Sequence, residues 1–242
     1  MTYSFVVLAM MLSTWQRLGL ERDLVVGTLR ATVQLLAVGY VLQLVFNLKD
    51  WPFMVLMIGV MTVVAAYNAS RRGRELPAIF IKVLVAIGAA EIMALGLTLG
   101  LGIVEPTPQF VIPLSGMFIG NAMVASSLLL NSLRREIISH RAEIIVALSL
   151  GATARQAVSE SLRRAVRASS IPIVDGLKTV GLVQLPGMMT GLIIGGASPI
   201  DAVRYQLLIM FALAAVMAFT SIILSFLVYP ALFTPAHQLI ER

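Results

Sequence analysis

Ile79-Phe-Ile-Lys-Val-Leu-Val-Ala-Ile-Gly-Ala-Ala-Glu-Ile-Met-Ala-Leu-Gly-Leu-Thr-Leu-Gly-Leu-Gly-Ile103 decides the fold class, because it runs uninterrupted by proline and holds only two ionisable residues, Lys82 and Glu91. As a helix rising 1.5 Å per residue it would extend ~37 Å, enough to cross a hydrocarbon layer ~30 Å thick. Comparable runs occupy residues 24–46, 52–69, 108–131, 171–195 and 203–229, and a shorter one covers 2–15. Hydrophobic residues make up 59% of the chain and charged ones 12%, about half the charged share of an average soluble domain. The expectation is an all-α polytopic membrane protein of about seven transmembrane helices, with residues 1–242 forming a single domain. The first run either reaches Leu18, tilts little or lies partly in the interface, with Trp15 as a headgroup-level anchor. It lacks a basic n-region and a small-residue cleavage site, so it reads as a retained helix.

The net charge of +6 does not indicate a nucleic-acid partner, since the arginines gather at helix ends, where the positive-inside rule accounts for them. The chain has no cysteine, which excludes disulfides, thiolate nucleophiles and thiolate metal ligands. His140 and His237 fall in polar or terminal segments, outside the expected spans. No Ser/His/Asp set and no paired carboxylates within one span appear, so an enzyme is not expected.

One connection is long. Residues 132–170 carry Arg134, Arg135, Glu136, Arg141 and Glu143 beyond the fifth run, then Ala147-Leu-Ser-Leu-Gly-Ala-Thr-Ala-Arg-Gln-Ala157. Gly151 should break the helix. After it Ala154, Val158, Leu162, Ala165 and Val166 recur on one helical face, and Arg155, Ser159, Arg163 and Arg167 on the other. Such a helix suits either a groove on a soluble partner or the surface of an anionic leaflet. If the segment is cytoplasmic, Arg17, Arg22, Arg71, Arg72, Arg74 and Arg242 fall on its side, against Lys49 and Arg204 opposite. That bias places the C-terminus inside and, for seven spans, the N-terminus outside.

The turn Leu148-Ser-Leu-Gly-Ala-Thr153, with Arg155 and Gln156, resembles the cytoplasmic coupling loop of ABC permeases, although Ile145-Val-Ala147 replaces the usual Glu-Ala-Ala triplet. Thr179-Val-Gly-Leu-Val-Gln-Leu-Pro-Gly-Met-Met-Thr-Gly191, Gly195-Gly-Ala-Ser-Pro199, Gln34-Leu-Leu-Ala-Val-Gly-Tyr-Val-Leu-Gln43 and Gly116-Met-Phe-Ile-Gly-Asn-Ala-Met-Val-Ala125 extend the likeness over nearly the whole chain. Together they are similar to the FetB-type family of iron-export permeases, which includes the membrane subunits of plant aluminium-tolerance transporters. The resemblance implies a homodimeric permease in the inner (plasma) membrane. It implies a separate cytoplasmic ABC ATPase that binds ATP and Mg, with no cofactor on this chain, which lacks a Gly-rich phosphate loop of its own. Leu148, Gly151, Ala152, Thr153, Arg155 and Gln156 would then couple the two subunits. The cargo would be metal ion, with a small organic or nucleotide-sugar cargo as the alternative.

Five residues inside the spans are candidates for a substrate pathway. Glu91 costs on the order of 3 kcal/mol or more to insert if ionised, so it either serves a cation or proton or stays neutral and hydrogen-bonded. In the first case it would also suit a proton-coupled secondary transporter. Gln34 and Asn121 are amides suited to interhelical hydrogen bonds or to lining a path. Met188 and Met189 follow Pro186, which should loosen their helix. Thioethers favour soft ions, so these two methionines do not by themselves specify iron, and no metal site is assigned. Arg30, Lys82, Asp175 and Lys178 sit close enough to helix ends to snorkel or, for the last two, to pair with each other. Gly96 with Gly100, Gly116 with Gly120, and Gly187 with Gly191 and Gly195 have the spacing of close helix packing.

Overall fold

The computed structural model describes residues 4–48, 51–183, 185–234 and 238–240, with backbone alone at 44 and 46–48. Lys49, Gln184, His237 and Arg242, which entered the sequence reading, lie outside the described residues. The chain divides into two compact units, Met1–Phe53 and Met54–Arg242.

In the first unit α1 (Ser4–Gln16) packs on α2 (Glu21–Leu48). Their elbow is tied by Ser13 Oγ, which donates to Glu21 Oε1 at 2.7 Å and accepts from the Leu20 N–H at 3.1 Å. Thirteen residues give α1 only ~20 Å, short of a crossing, and it stops before Leu18 because Arg17 turns left-handed at φ 52°. α2 is long and apolar enough to span.

The second unit contains α3 (Trp51–Ser70) from its second turn onward, α4 (Ile79–Gly100), α5 (Pro108–Ser139), α6 (Arg141–Ser149), α7 (Ala154–Thr179), α8 (Gly187–Ile194) and α9 (Pro199–Val228). α4, α5 and α9 pack on one another, and α7 lies against α5 and α9. Small residues make the contact close. Ala86, Ala90, Ala122, Ala125 and Ala165 are fully or almost fully buried beside Phe118, Leu129 and Val216. Met61 approaches α5 where Gly116 has no side chain, since a Cβ there would meet its Cε at 3.2 Å. Among the expected small-residue pairs only Gly116 is used in this way. Gly96, Gly100, Gly120, Gly187 and Gly191 have no neighbour within 4 Å of an added Cβ.

Five described helices, α2, α3, α4, α5 and α9, are long and apolar enough to cross a membrane. The sixth expected span, 171–195, is not one helix. α7 starts at Ala154, runs through Pro172 and ends at Thr179, and α8 begins only at Gly187. The ladder cannot continue because Val180 is extended, Gly181 has φ +83°, and Pro186 occupies the N-cap of α8 without an N–H to donate. Pro186 therefore separates two helices instead of kinking one. The expected end of the loop near 170 likewise falls inside α7, so its polar and apolar halves form one rigid element.

Candidate functional site

Two regions of the second unit carry candidate functional side chains. The first is the α6–α7 turn. α6 closes as a Schellman motif: the Ala152 N–H donates to Ala147 O and the Gly151 N–H to Leu148 O, both at 3.0 Å. This geometry requires the positive φ of +89° at Gly151. α7 then opens on a capping box, in which Thr153 Oγ1 accepts from the Gln156 N–H at 3.3 Å and Gln156 Oε1 accepts from the Thr153 N–H at 2.9 Å. Gly151, Ala152, Thr153 and Gln156 thus shape the turn itself. Leu148 points back and packs against the cluster of Ile144, Val158, Phe233 and Leu239.

The tip of the turn is apolar and open. Leu150 is 83% exposed, and Val146 and Ile145 of α6 are exposed beside it. The face of α7 that the periodicity offered to a partner is used internally instead. Val158 and Ala165 are fully buried, and Leu162 packs against both apolar clusters of the unit. Hence the exposed apolar surface of this arm belongs to α6 and Leu150. A polar cluster braces this arm. Arg164 of α7 reaches His140 at 2.7 Å, Glu136 of α5 at 3.7 Å and Glu160 at 3.3 Å, and His140 Nδ1 lies 3.2 Å from Glu143 of α6. Arg134 pairs with Glu75 at 2.8 Å, which brings the basic 71–75 turn to the same end of the bundle. Arg155 does not project from the tip; its guanidinium lies 5.1 Å above the Phe226 ring of α9.

The second region is intramembrane. Glu91 lies on the stripe of α4 that enters the core with Ile87, Ala90 and Ala94, and it is 4% exposed. Neither of its carboxylate oxygens meets hydrogen-bond geometry with a partner, and the same holds for Ser115 Oγ, although Ser115 of α5 stands close enough to interact with the carboxylate. Thr98 does not help, because its hydroxyl donates to Ala94 O in its own helix. Buried polar atoms without partners are uncommon and costly, about 1–3 kcal/mol each, which makes this pair a candidate site. Gln206 Oε1 and Thr220 Oγ1 of α9 are also buried and unpartnered.

The other sequence candidates are dispersed. Gln34 is exposed on α2 in the first unit. Asn121 spends its Nδ2 on Met117 O, one turn back in α5, at 2.9 Å. Met188 and Met189 are half-buried on α8, and only Met188 lines the cavity of about 410 Å³ that also contains Glu105, Phe110, Tyr205 and Leu192 at the opposite end of the bundle from the arm. Asp175 and Lys178 do pair, at 3.6 Å. No group of three His, Asp or Glu suited to a metal ion occurs among the described residues. Ser115, Gln206, Thr220 and the Ser169–Ser221 hydrogen bond of 2.8 Å were not visible in the sequence, where an isolated hydroxyl or amide in an apolar run carries no periodic signal.

Comparison with known proteins supports the resemblance read from the motifs. The family model described as "Uncharacterised protein family (UPF0014)" matches residues 1–233. The chain is 47% identical to the UPF0014 membrane protein YjkA of Bacillus subtilis, over 99% of this chain and 96% of that one. It is 40% identical to the probable iron export permease protein FetB of Escherichia coli, over 97% and 91%. It is 37% identical to the protein ALUMINUM SENSITIVE 3 of Arabidopsis thaliana, over 97% and 86%. No solved structure matches the chain. With its apolar helical bundle matched over residues 1–233, this multi-pass membrane protein belongs to the UPF0014 family, which includes a protein named as an iron export permease.

Proposed function

We propose that the chain is one permease domain, the membrane subunit of an ATP-driven transporter that exports metal ion, iron in the first instance, from the cytoplasm. A separate ABC-type ATPase hydrolyses ATP and docks on the α6–α7 arm, and two copies of the permease flank the path. The observation that carries this reading is the arm itself: an apolar tip at Val146 and Leu150, held by a glycine turn and braced to α5 through Arg164 and His140. A rigid arm transmits a push, whereas a loose loop would absorb it. The name of the FetB relative supports the cargo. The positive-inside bias supports an arm and a C-terminus on the cytoplasmic side of the plasma membrane.

The test is co-expression with a candidate ABC ATPase from the same genome, followed by ferrous-ion-stimulated ATP hydrolysis and iron transport in proteoliposomes. A stable complex with stimulated hydrolysis supports the proposal; no complex and no stimulation overturn it. Stimulation by a small organic or nucleotide-sugar compound instead of metal would keep the architecture and change the cargo. Glu91 favours a second reading, a proton-coupled secondary transporter, because an unpartnered buried carboxylate is suited to carry a proton. That reading requires transport driven by a pH gradient without ATPase and abolished in Glu91→Gln.

A further inference from the structure

A groove of about 450 Å³ runs between α7 and α9 beside the arm, with Arg155, Arg163 and Arg167 on its α7 wall. Leu162 and Val166 of α7 and Ile222 and Phe226 of α9 give it an apolar floor. The three arginines lie on one stripe of α7, at intervals of eight and four residues, where like charges one turn apart repel. Little neutralises them. The nearest carboxylate to Arg163 is Glu160, at 4.0 Å with both groups exposed, and no carboxylate among the described residues pairs with Arg155 or Arg167. Arg155 is held over Phe226, whose ring is 49% exposed.

Depth identifies what fits. α9 has 30 residues and extends ~45 Å, beyond the ~30 Å of hydrocarbon, and Phe226 lies in its last turn. The arginines therefore stand at headgroup level, while the floor continues from Ile222 to the exposed Phe219, towards the acyl region. Cation above and hydrocarbon below match an amphiphile with an anionic head. A second copy fits less well, because a two-fold interface here would set arginines against arginines. The ATPase would meet the arm at Leu150, not this wall.

We infer that the α7–α9 groove is a binding site for one anionic phospholipid, its phosphate held by Arg163 and Arg167, one turn apart on α7, with Arg155 at the neighbouring end of the headgroup and the acyl chain laid along Leu162, Ile222 and Phe226. Arginine forks suit phosphate oxygens, and basic residues at the membrane surface favour anionic lipid by about fivefold each. Bound lipid would clamp the base of α7 to α9 just below the arm.

The experiment is native mass spectrometry of the full chain in detergent with equimolar phosphatidylglycerol and phosphatidylcholine. The wild type should retain one phosphatidylglycerol in preference to phosphatidylcholine. Arg163→Gln and Arg167→Gln should each lower that preference by about fivefold, with Arg134→Gln, whose partner is Glu75, leaving it unchanged. Circular dichroism melts identify any variant that fails to fold, in which case Glu160→Gln serves instead, since removing the nearest carboxylate should raise the preference. Equal retention of both lipids, or a preference unmoved by every variant, overturns the proposal. Displacement of phosphatidylglycerol by inorganic phosphate would show an anion site without lipid specificity and also overturns it, as would a change of oligomer mass in place of lipid loss. Arg155 is left intact in all variants, so the result is independent of its proposed coupling role.

Discussion

Nη1 of Arg164 stands 2.7 Å from Nε2 of His140, 24 residues earlier in the chain. A guanidinium only donates, so Nε2 accepts and the imidazole proton resides on Nδ1, directed at Glu143 Oε2 3.2 Å away. A single relay of hydrogen bonds thus joins α7, the α5–α6 hinge and α6. Arg164→Ala should loosen α6 against the bundle and accelerate amide hydrogen exchange across 141–149. Its cost in global stability should be small, about 1 kcal/mol or less, because the Arg164 side chain is 47% exposed. Unchanged exchange in that segment would show that the relay does not brace the arm.

Gly151 offers a cleaner test of coupling. Nothing lies within 4 Å of a Cβ built there, so a substitution meets only backbone strain at φ +89°, worth ~1–2 kcal/mol and more for a β-branched residue. Gly151→Val should lower the melting temperature of the bundle by only several degrees while uncoupling ATP hydrolysis from transport in the reconstituted complex. Arg155→Glu, which also removes the contact with Phe226, should do the same. An intact ratio of transport to hydrolysis in both variants would remove the turn from the mechanism.

Glu91 should show a conflict between stability and function. Replacing an unpartnered buried carboxylate with an apolar side chain of similar size removes a desolvation cost of about 1–3 kcal/mol, so Glu91→Leu is expected to melt higher than wild type. If the Glu91–Ser115 pair serves cargo or proton, the same variant loses transport, and Glu91→Gln loses it without the gain in stability. Thermal unfolding and transport measured on the same preparations separate the outcomes. A stabilised, fully active Glu91→Leu would mean that the carboxylate is dispensable.

Ala165 and Leu150 lie on opposite sides of the α7 question. Ala165 is fully buried against α5 and α9, so Ala165→Leu overfills that contact and should cost roughly 1–3 kcal/mol. Leu150 is 83% exposed, so Leu150→Ala should leave unfolding unchanged and weaken capture of the ATPase in a pull-down. Equal effects of the two on stability would contradict the inward orientation of α7.

Apolar run length and the absence of charge were enough to specify a polytopic helical bundle, because a backbone in hydrocarbon must satisfy its own hydrogen bonds. Gly151 was legible for a similar reason, since a glycine between two helical patterns marks a left-handed turn. Family membership was also readable from residues alone, through Leu185-Pro-Gly-Met-Met-Thr190 and its companion segments. Only the tertiary structure decided which side of an amphipathic helix is spent and which is offered. Val158, Leu162 and Ala165 have the spacing of a docking face, yet the bundle consumes them, and the exposed apolar surface moves to α6. The division of 171–195 into the end of α7 and α8 was equally hidden, because hydropathy sums over a window and does not register the lost N–H at Pro186 or the positive φ at Gly181. Glu91 was conspicuous in the sequence as an acid in an apolar run. That a serine from another helix stands beside it depends on how α4 and α5 are rotated about their axes, and that rotation is set by the packing of small residues across the interface.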